Sequence, residues 1–209
     1  MNFSLNEVEA TAKRAARGAG YSWGHAEEAA KATRWLCAQG LDGTGALERL
    51  LNQNLTASPE SHAPNTNECI WAGQKALCPL MAGAALSDCA LQLNEAAISL
   101  KDVAVPTLLL PFAANAARLL KACATIEYDG TVAITDGYSL TLATAVPDHA
   151  QLVSIGLGGT LAETTSPRSR AIPDPLVWAA LNQFAHRTYA PATEESRLRG
   201  AGSGLSDND

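Results

Sequence analysis

Residues 124–144, "ATIEYDGTVAITDGYSLTLAT", carry two Asp-Gly pairs, Asp129-Gly130 and Asp136-Gly137, between short runs rich in β-branched and apolar residues. Tight two-residue turns need positive backbone angles, which Asp-Gly supplies, so this stretch predicts an antiparallel meander. A chain built around such a meander must cover one face of the resulting sheet. The first half of the sequence offers the cover, because its apolar residues recur at helical rather than strand spacing.

"SLNEVEATAKRAARGAG" opens that half. Ser4 lies three residues before Glu7, the spacing of a capping box, and Lys13, Arg14 and Arg17 supply the cations that a helix C-terminus favours. The helix is expected to stop at Gly18, where glycine can take the left-handed conformation. "HAEEAAKATRWLCAQG" predicts a second helix ending near Gly40, with Glu27 and Lys31 spaced for a surface ion pair. A short third helix begins near Thr44, "LTASPESHAPNTNE" reads as a surface loop, and Pro79 starts a further helix in "ALCPLMAGAALSDCALQL".

Beyond residue 100, "VAVPTLLL" predicts a buried strand and "PFAANAARLLKAC" a helix opened by Pro111. "QLVSIGLGG" adds a strand after the meander, and "PDPLVWAALNQFAHRTY" a closing helix with Pro175 at its start. The expected fold class is α+β: N-terminal helices, then a mainly antiparallel sheet with hairpins, closed by a C-terminal helix. One domain is expected over residues 1–189, followed by a glycine-rich acidic tail at 190–209.

The formal charge of −6, from 15 basic and 21 acidic residues, argues against a nucleic-acid surface, which needs a basic footprint. No apolar run is long enough to span a bilayer, and the five scattered cysteines fit buried thiols in a reducing compartment, so the expected location is cytoplasmic. Four widely separated histidines and the lack of any Cys-x-x-Cys pattern predict neither a metal nor a cofactor. "IGLGG" at 155–159 is a fragment of a dinucleotide fingerprint that leads to no helix, and reads as a strand-ending turn.

Two stretches carry candidate chemistry. In "RGAGYSWGHAEE" the glycines can expose backbone amides beside a helix start; Arg17, Ser22 and Trp23 are then candidates to bind an anion, and His25 and Glu28 to move protons. The alternative is a helix corner whose Tyr21 and Trp23 pack into the core. In "LCPLMAGAALSDC", Cys78 stands before a proline-initiated helix, where a dipole lowers a thiol pKa, and Asp88 is placed to orient a base or bind substrate. Here the alternative is simple packing of a small residue. The Arg-Gly-Ala-Gly tetrapeptide recurs in the tail, which makes Arg199 and Gly200 candidates to complete a pocket beside the first turn. Arg168 and Arg170 of "SPRSR" form a further basic pair.

The segments "SLNEVEATAKRAARGAGYSWGHAEEAAKATRWL", "CPLMAGAALSD" and "ESRLRGAGSGLSDND" together resemble a bacterial family catalogued as a domain of unknown function (3726). That resemblance implies a stand-alone bacterial cytosolic protein and names no reaction. Residues 4–51 are also similar in helical patterning to the N-terminal helices of the malate/L-lactate dehydrogenase-type family. That family carries Ser-His-Gly after its second helix, where this chain has "LDGTGALERLL" without histidine.

Two functional expectations follow. One is a cofactor-independent enzyme acting on a small anionic or amide metabolite by hydrolysis or elimination. The other is a non-catalytic accessory subunit that docks on an enzyme partner; a homodimer is compatible with either.

Overall fold

The computed structural model describes residues 2–162 and 167–189. Its fold class is α+β. Strand β1 (Phe3–Ser4) leads directly into α1 (Leu5–Gly18), which is followed by α2 (Trp23–Ala38), α3 (Gly43–Asn52) and the single-turn α4 (Pro59–His62). Next come β2 (Ile70–Trp71), α5 (Pro79–Asp88), β3 (Ile98–Ala104) and α6 (Leu110–Leu120). Strands β4 (Ala124–Tyr128), β5 (Thr131–Thr135), β6 (Leu140–Leu142), β7 (His149–Leu157) and β8 (Arg170–Ala171) precede the closing helix α7 (Pro175–His186).

Six strands form one sheet in the order β2-β3-β7-β4-β5-β6. All pairs are antiparallel except the edge pair β2–β3, which is parallel. Alternation along β4 sends Ala124, Ile126 and Tyr128 to the buried face, and Val153 and Ile155 of β7 join them. Phe112 and the alanines Ala113 and Ala116 of α6 lie in the same core cluster. Helices α2 and α5 flank α6, while α1 lies against α2, α3 and α7, and α7 against α1 and α3. Small side chains set the spacing of these layers: a Cβ on Gly83 of α5 would fall 2.2 Å from the Phe112 ring.

The capping box at α1 is complete, with the Ser4 N–H donating to Glu7 Oε2 at 2.7 Å and the Glu7 N–H donating to Ser4 Oγ at 3.2 Å. The end of α1 differs from expectation. Gly18 is still helical, and the left-handed residue is Gly20, at φ +99°. Gly18 is required for another reason: a Cβ there would lie 1.9 Å from the carbonyl oxygen of Phe184 on α7. The two glycines of Arg-Gly-Ala-Gly thus do separate jobs, one admitting a neighbouring helix and one turning the chain.

Other expectations are corrected by local chemistry. "VAVPTLLL" is not one strand: β3 ends at Ala104, Val105 takes φ +41°, and Pro106–Leu109 form a 3-10 turn leading into α6. Pro106 has no N–H to offer a ladder, so the strand cannot run through it. At the first Asp-Gly pair the turn has two residues, at φ +44° and +94°, as expected. The second is a longer loop in which the Asp136 carboxylate accepts from the N–H groups of Tyr138 and Ser139. The loop at 55–68 contains a 3-10 turn (Leu55–Ala57) and α4, and Leu55 and His62 are buried. Lys31 pairs with Glu28 at 2.8 Å rather than with Glu27, which pairs with Lys13 at 2.6 Å. Of the cysteines, Cys37 and Cys78 are buried, and Cys69 is exposed.

Candidate functional site

The corner between α1 and α2 holds Arg17, Ser22, Trp23 and His25, and each has a local partner. Arg17 donates to the Tyr21 carbonyl at 2.8 Å and lies 5.1 Å from the centroid of the Trp23 ring. Ser22 caps α2, accepting from the His25 N–H at 3.2 Å, and its hydroxyl lies 3.0 Å from His25 Nδ1. Trp23 is 61% exposed, whereas Tyr21 is buried. None of the four lines a principal cavity of the described residues.

Tyr21 instead points inward, its hydroxyl 3.4 Å from Cys78 Sγ. Cys78 is fully buried, the setting of a packed thiol rather than of an accessible nucleophile. Burial pushes its thiol pKa up, and the Tyr21 hydroxyl, which favours the thiolate, does not outweigh it. The Tyr21 hydroxyl is raised as well, chiefly by burial. Both groups are protonated at neutral pH, and together they join the first corner to the start of α5.

Glu28 and Asp88 have a different setting. They meet in a cleft of about 530 Å³ walled by α2, α5 and α6, with Lys31, Ser87, Asn115 and Arg118. A smaller cavity of about 180 Å³ shares Glu28, Lys31, Asn115 and Arg118 and continues to Trp35, Pro111 and Phe112. Helical spacing explains the arrangement. Glu28, Lys31 and Trp35 follow one another at three and four residues along α2, and Asn115 and Arg118 are three apart on α6. The Glu28 carboxylate raises the Lys31 pKa, so the ammonium is charged at neutral pH.

Arg118 is held from the sheet side. Its Nη1 donates to the Gly137 carbonyl at 2.9 Å, Nη2 donates to Asn115 Oδ1, and its guanidinium lies 5.8 Å from the Tyr138 ring centroid. Trp35 Nε1 donates to the same Gly137 carbonyl at 3.4 Å. Gly137 sits at φ +96°, and a Cβ there would fall 2.2 Å from Arg118 Cγ. The β5–β6 loop therefore pins two cleft residues from two helices.

The structure thus unites Glu28 and Asp88 and leaves Arg17, Ser22, Trp23, His25 and Cys78 outside the cleft. Arg199 and Gly200 lie outside the described residues. Lys31, Asn115 and Arg118 were not among the sequence candidates; the only hint of them is a polar Asn115 within an alanine-rich helix. Also unforeseen is the contact of His149 Nε2 with Asp102 Oδ1 at 2.5 Å, between β7 and β3, with Asp102 at φ +58°. Of the basic pair, Arg170 binds Asn2, and the Arg168 N–H donates to the Ala38 carbonyl. Among the described residues no group of three or more His, Cys, Asp or Glu is arranged to hold a metal ion, and no helix is long and apolar enough to cross a membrane.

Fold and cleft together define an α+β protein with a charged cleft in its helical layer. Residues 3–103 match the family described as "Protein of unknown function (DUF3726)". The match includes both the Arg-Gly-Ala-Gly corner and the "CPLMAGAALSD" helix that carried the resemblance, and stops short of α6 and the meander. No curated protein matches the chain.

Proposed function

We propose that this protein binds a small carboxylate- or amide-bearing metabolite in the α2–α5–α6 cleft and turns it over by hydrolysis or elimination. The observation that supports this reading is the convergence of Glu28, Lys31, Asp88, Asn115 and Arg118 from three helices on one concavity. A concave site with a few convergent polar groups is where small ligands bind. Arg118 matches a carboxylate, and the Asn115 amide matches an amide or a carbonyl oxygen. Glu28 is the proton-moving group of this reading. Its carboxylate would accept a proton from the bound metabolite or from a water beside it, with the Lys31 ammonium 2.8 Å away to balance charge.

The test is thermal stabilisation by succinate, succinamate and L-glutamine, since a ligand that binds only the native state raises its melting temperature. Stabilisation by at least one, abolished in Arg118→Ala and retained without turnover in Glu28→Gln, supports the reading. No stabilisation by any of them refutes it.

A second reading, an accessory subunit, is favoured by α7. Ile172, in the link from β8, and Leu176, in its first turn, are 77% and 82% exposed, and large apolar residues so placed suit a protein partner.

A further inference from the structure

Resting on the cleft reading above, we infer that its ligand is a zwitterion of the amino-acid type, with its carboxylate on Arg118, its ammonium on Asp88 and an apolar side chain toward Trp35. Charge balance carries the argument. Four charged side chains face the cleft, and two of them, Glu28 and Lys31, neutralise each other at 2.8 Å. The remaining two are one cation and one anion. Arg118 has only neutral partners among the described residues, namely a backbone carbonyl, the Asn115 amide oxygen and the Tyr138 ring. Asp88 forms no ion pair among the described residues. It is also the last residue of α5, where the helix dipole places partial negative charge, so its carboxylate is in an unfavourable field that a bound cation would relieve.

The cleft is also polarised along its length. Ser87 and Asp88 line only the larger cavity, and Trp35, Pro111 and Phe112 only the smaller one, with Asn115 and Arg118 common to both. A ligand that satisfies all three regions has a cationic end, a carboxylate in the middle and an apolar end. An α-amino acid with an aliphatic or aromatic side chain has this order when its ammonium points to α5. Arg118 is preset for the carboxylate by Gly137, whose carbonyl fixes the guanidinium without neutralising it. Preset donors lose less freedom on binding. Gly137 is in this sense a positioning residue.

Calorimetric titration with L-leucine, N-acetyl-L-leucine and L-leucinamide separates the charges. L-leucine should bind about tenfold or more tightly than either derivative, the scale of a lost charged hydrogen bond. Arg118→Ala, with Arg118→Gln as a second variant, should weaken L-leucine about tenfold and leave L-leucinamide unchanged. Asp88→Asn should weaken L-leucine and leave N-acetyl-L-leucine unchanged. Gly137→Ala should reproduce the Arg118 pattern across the three probes. Gly130→Ala, at the similar φ of +94° but with no atom within 4 Å of its new Cβ, should not. Equal affinity for the three probes, or variants that weaken all probes alike, overturns the inference. Binding of succinate without L-leucine or L-glutamine overturns the zwitterion but leaves the cleft reading standing, and silence of every probe overturns both.

Discussion

Replacing Gly18 by alanine tests the packing of α7 directly. In an exposed helix the change would be favourable by up to about 1 kcal/mol, since glycine is a poor helix former. Here the added Cβ would lie 1.9 Å from the Phe184 carbonyl oxygen, whereas ordinary contact begins near 3.4 Å. Because α7 must retreat by about 1.5 Å or α1 must unwind its last turn, the cost belongs at the upper end of the overpacking range, about 3 kcal/mol. The net loss is then about 2 kcal/mol, or about 4–8 °C in melting temperature for a chain of this size. Urea unfolding followed by circular dichroism reads the difference. Gly24→Ala is the control, because a Cβ on Gly24, within α2, meets nothing within 4 Å and should stabilise by a few tenths of a kcal/mol. A Gly18→Ala protein as stable as Gly24→Ala would refute the close approach of α7.

Alkaline pH should unfold the protein through its buried acids. Tyr21, Tyr128 and Cys78 are held protonated by burial, so their folded pKa values lie above those of the unfolded chain. Their contribution is complete below the unfolded values, about 8.5 for cysteine and about 10 for tyrosine. It falls above them by up to about 1.4 kcal/mol per pH unit for each group. Urea midpoints from pH 8 to 11 should decline accordingly, more shallowly in Tyr128→Phe; a flat profile would contradict the assignment. At neutral pH Tyr128→Phe should cost nothing and can stabilise by about 1 kcal/mol, because the fully buried hydroxyl has no hydrogen-bond partner among the described residues. A loss above about 1 kcal/mol in urea unfolding would reveal a hidden partner. A thiol reagent should modify exposed Cys69 quickly in the native protein and reach Cys78 and Cys37 only on unfolding, as peptide mapping would show.

What the sequence discloses here is what neighbouring residues decide among themselves. Ser4 and Glu7 announce a helix start because the bonds they make span three residues, and Pro79 and Pro175 open α5 and α7 at the expected places. Asp129-Gly130 specifies its turn through its own backbone angles. The illegible parts depend on distant partners. β1 and β8 are two residues each, and their pairing joins Phe3 to Ala171. Gly18 looks like a helix terminator until Phe184 is seen above it. In the cleft, Glu28 and Asp88 were readable by type, as residues able to handle protons. Their companion Arg118 resembles any cation in the last turn of a helix, and only the Gly137 carbonyl, nineteen residues away, distinguishes it. For Cys78 the sequence leaves two settings open, because the dipole argument is local while the burial comes from Tyr21 and the surrounding core.

The sheet order has a bearing on how the chain is made. β3 lies between β2 and β7, and β7 starts only at His149, so when residue 103 has just left the ribosome the longer side of β3 has no neighbour. Helix α1 likewise waits for α7 to cover Gly18. A nascent chain truncated at the end of the family match would carry all of α1 to α5 yet display an unpaired strand edge and a bare helical groove, both invitations to aggregation. The matched stretch, residues 3–103, thus ends while β3 still lacks β7 and α1 still lacks α7.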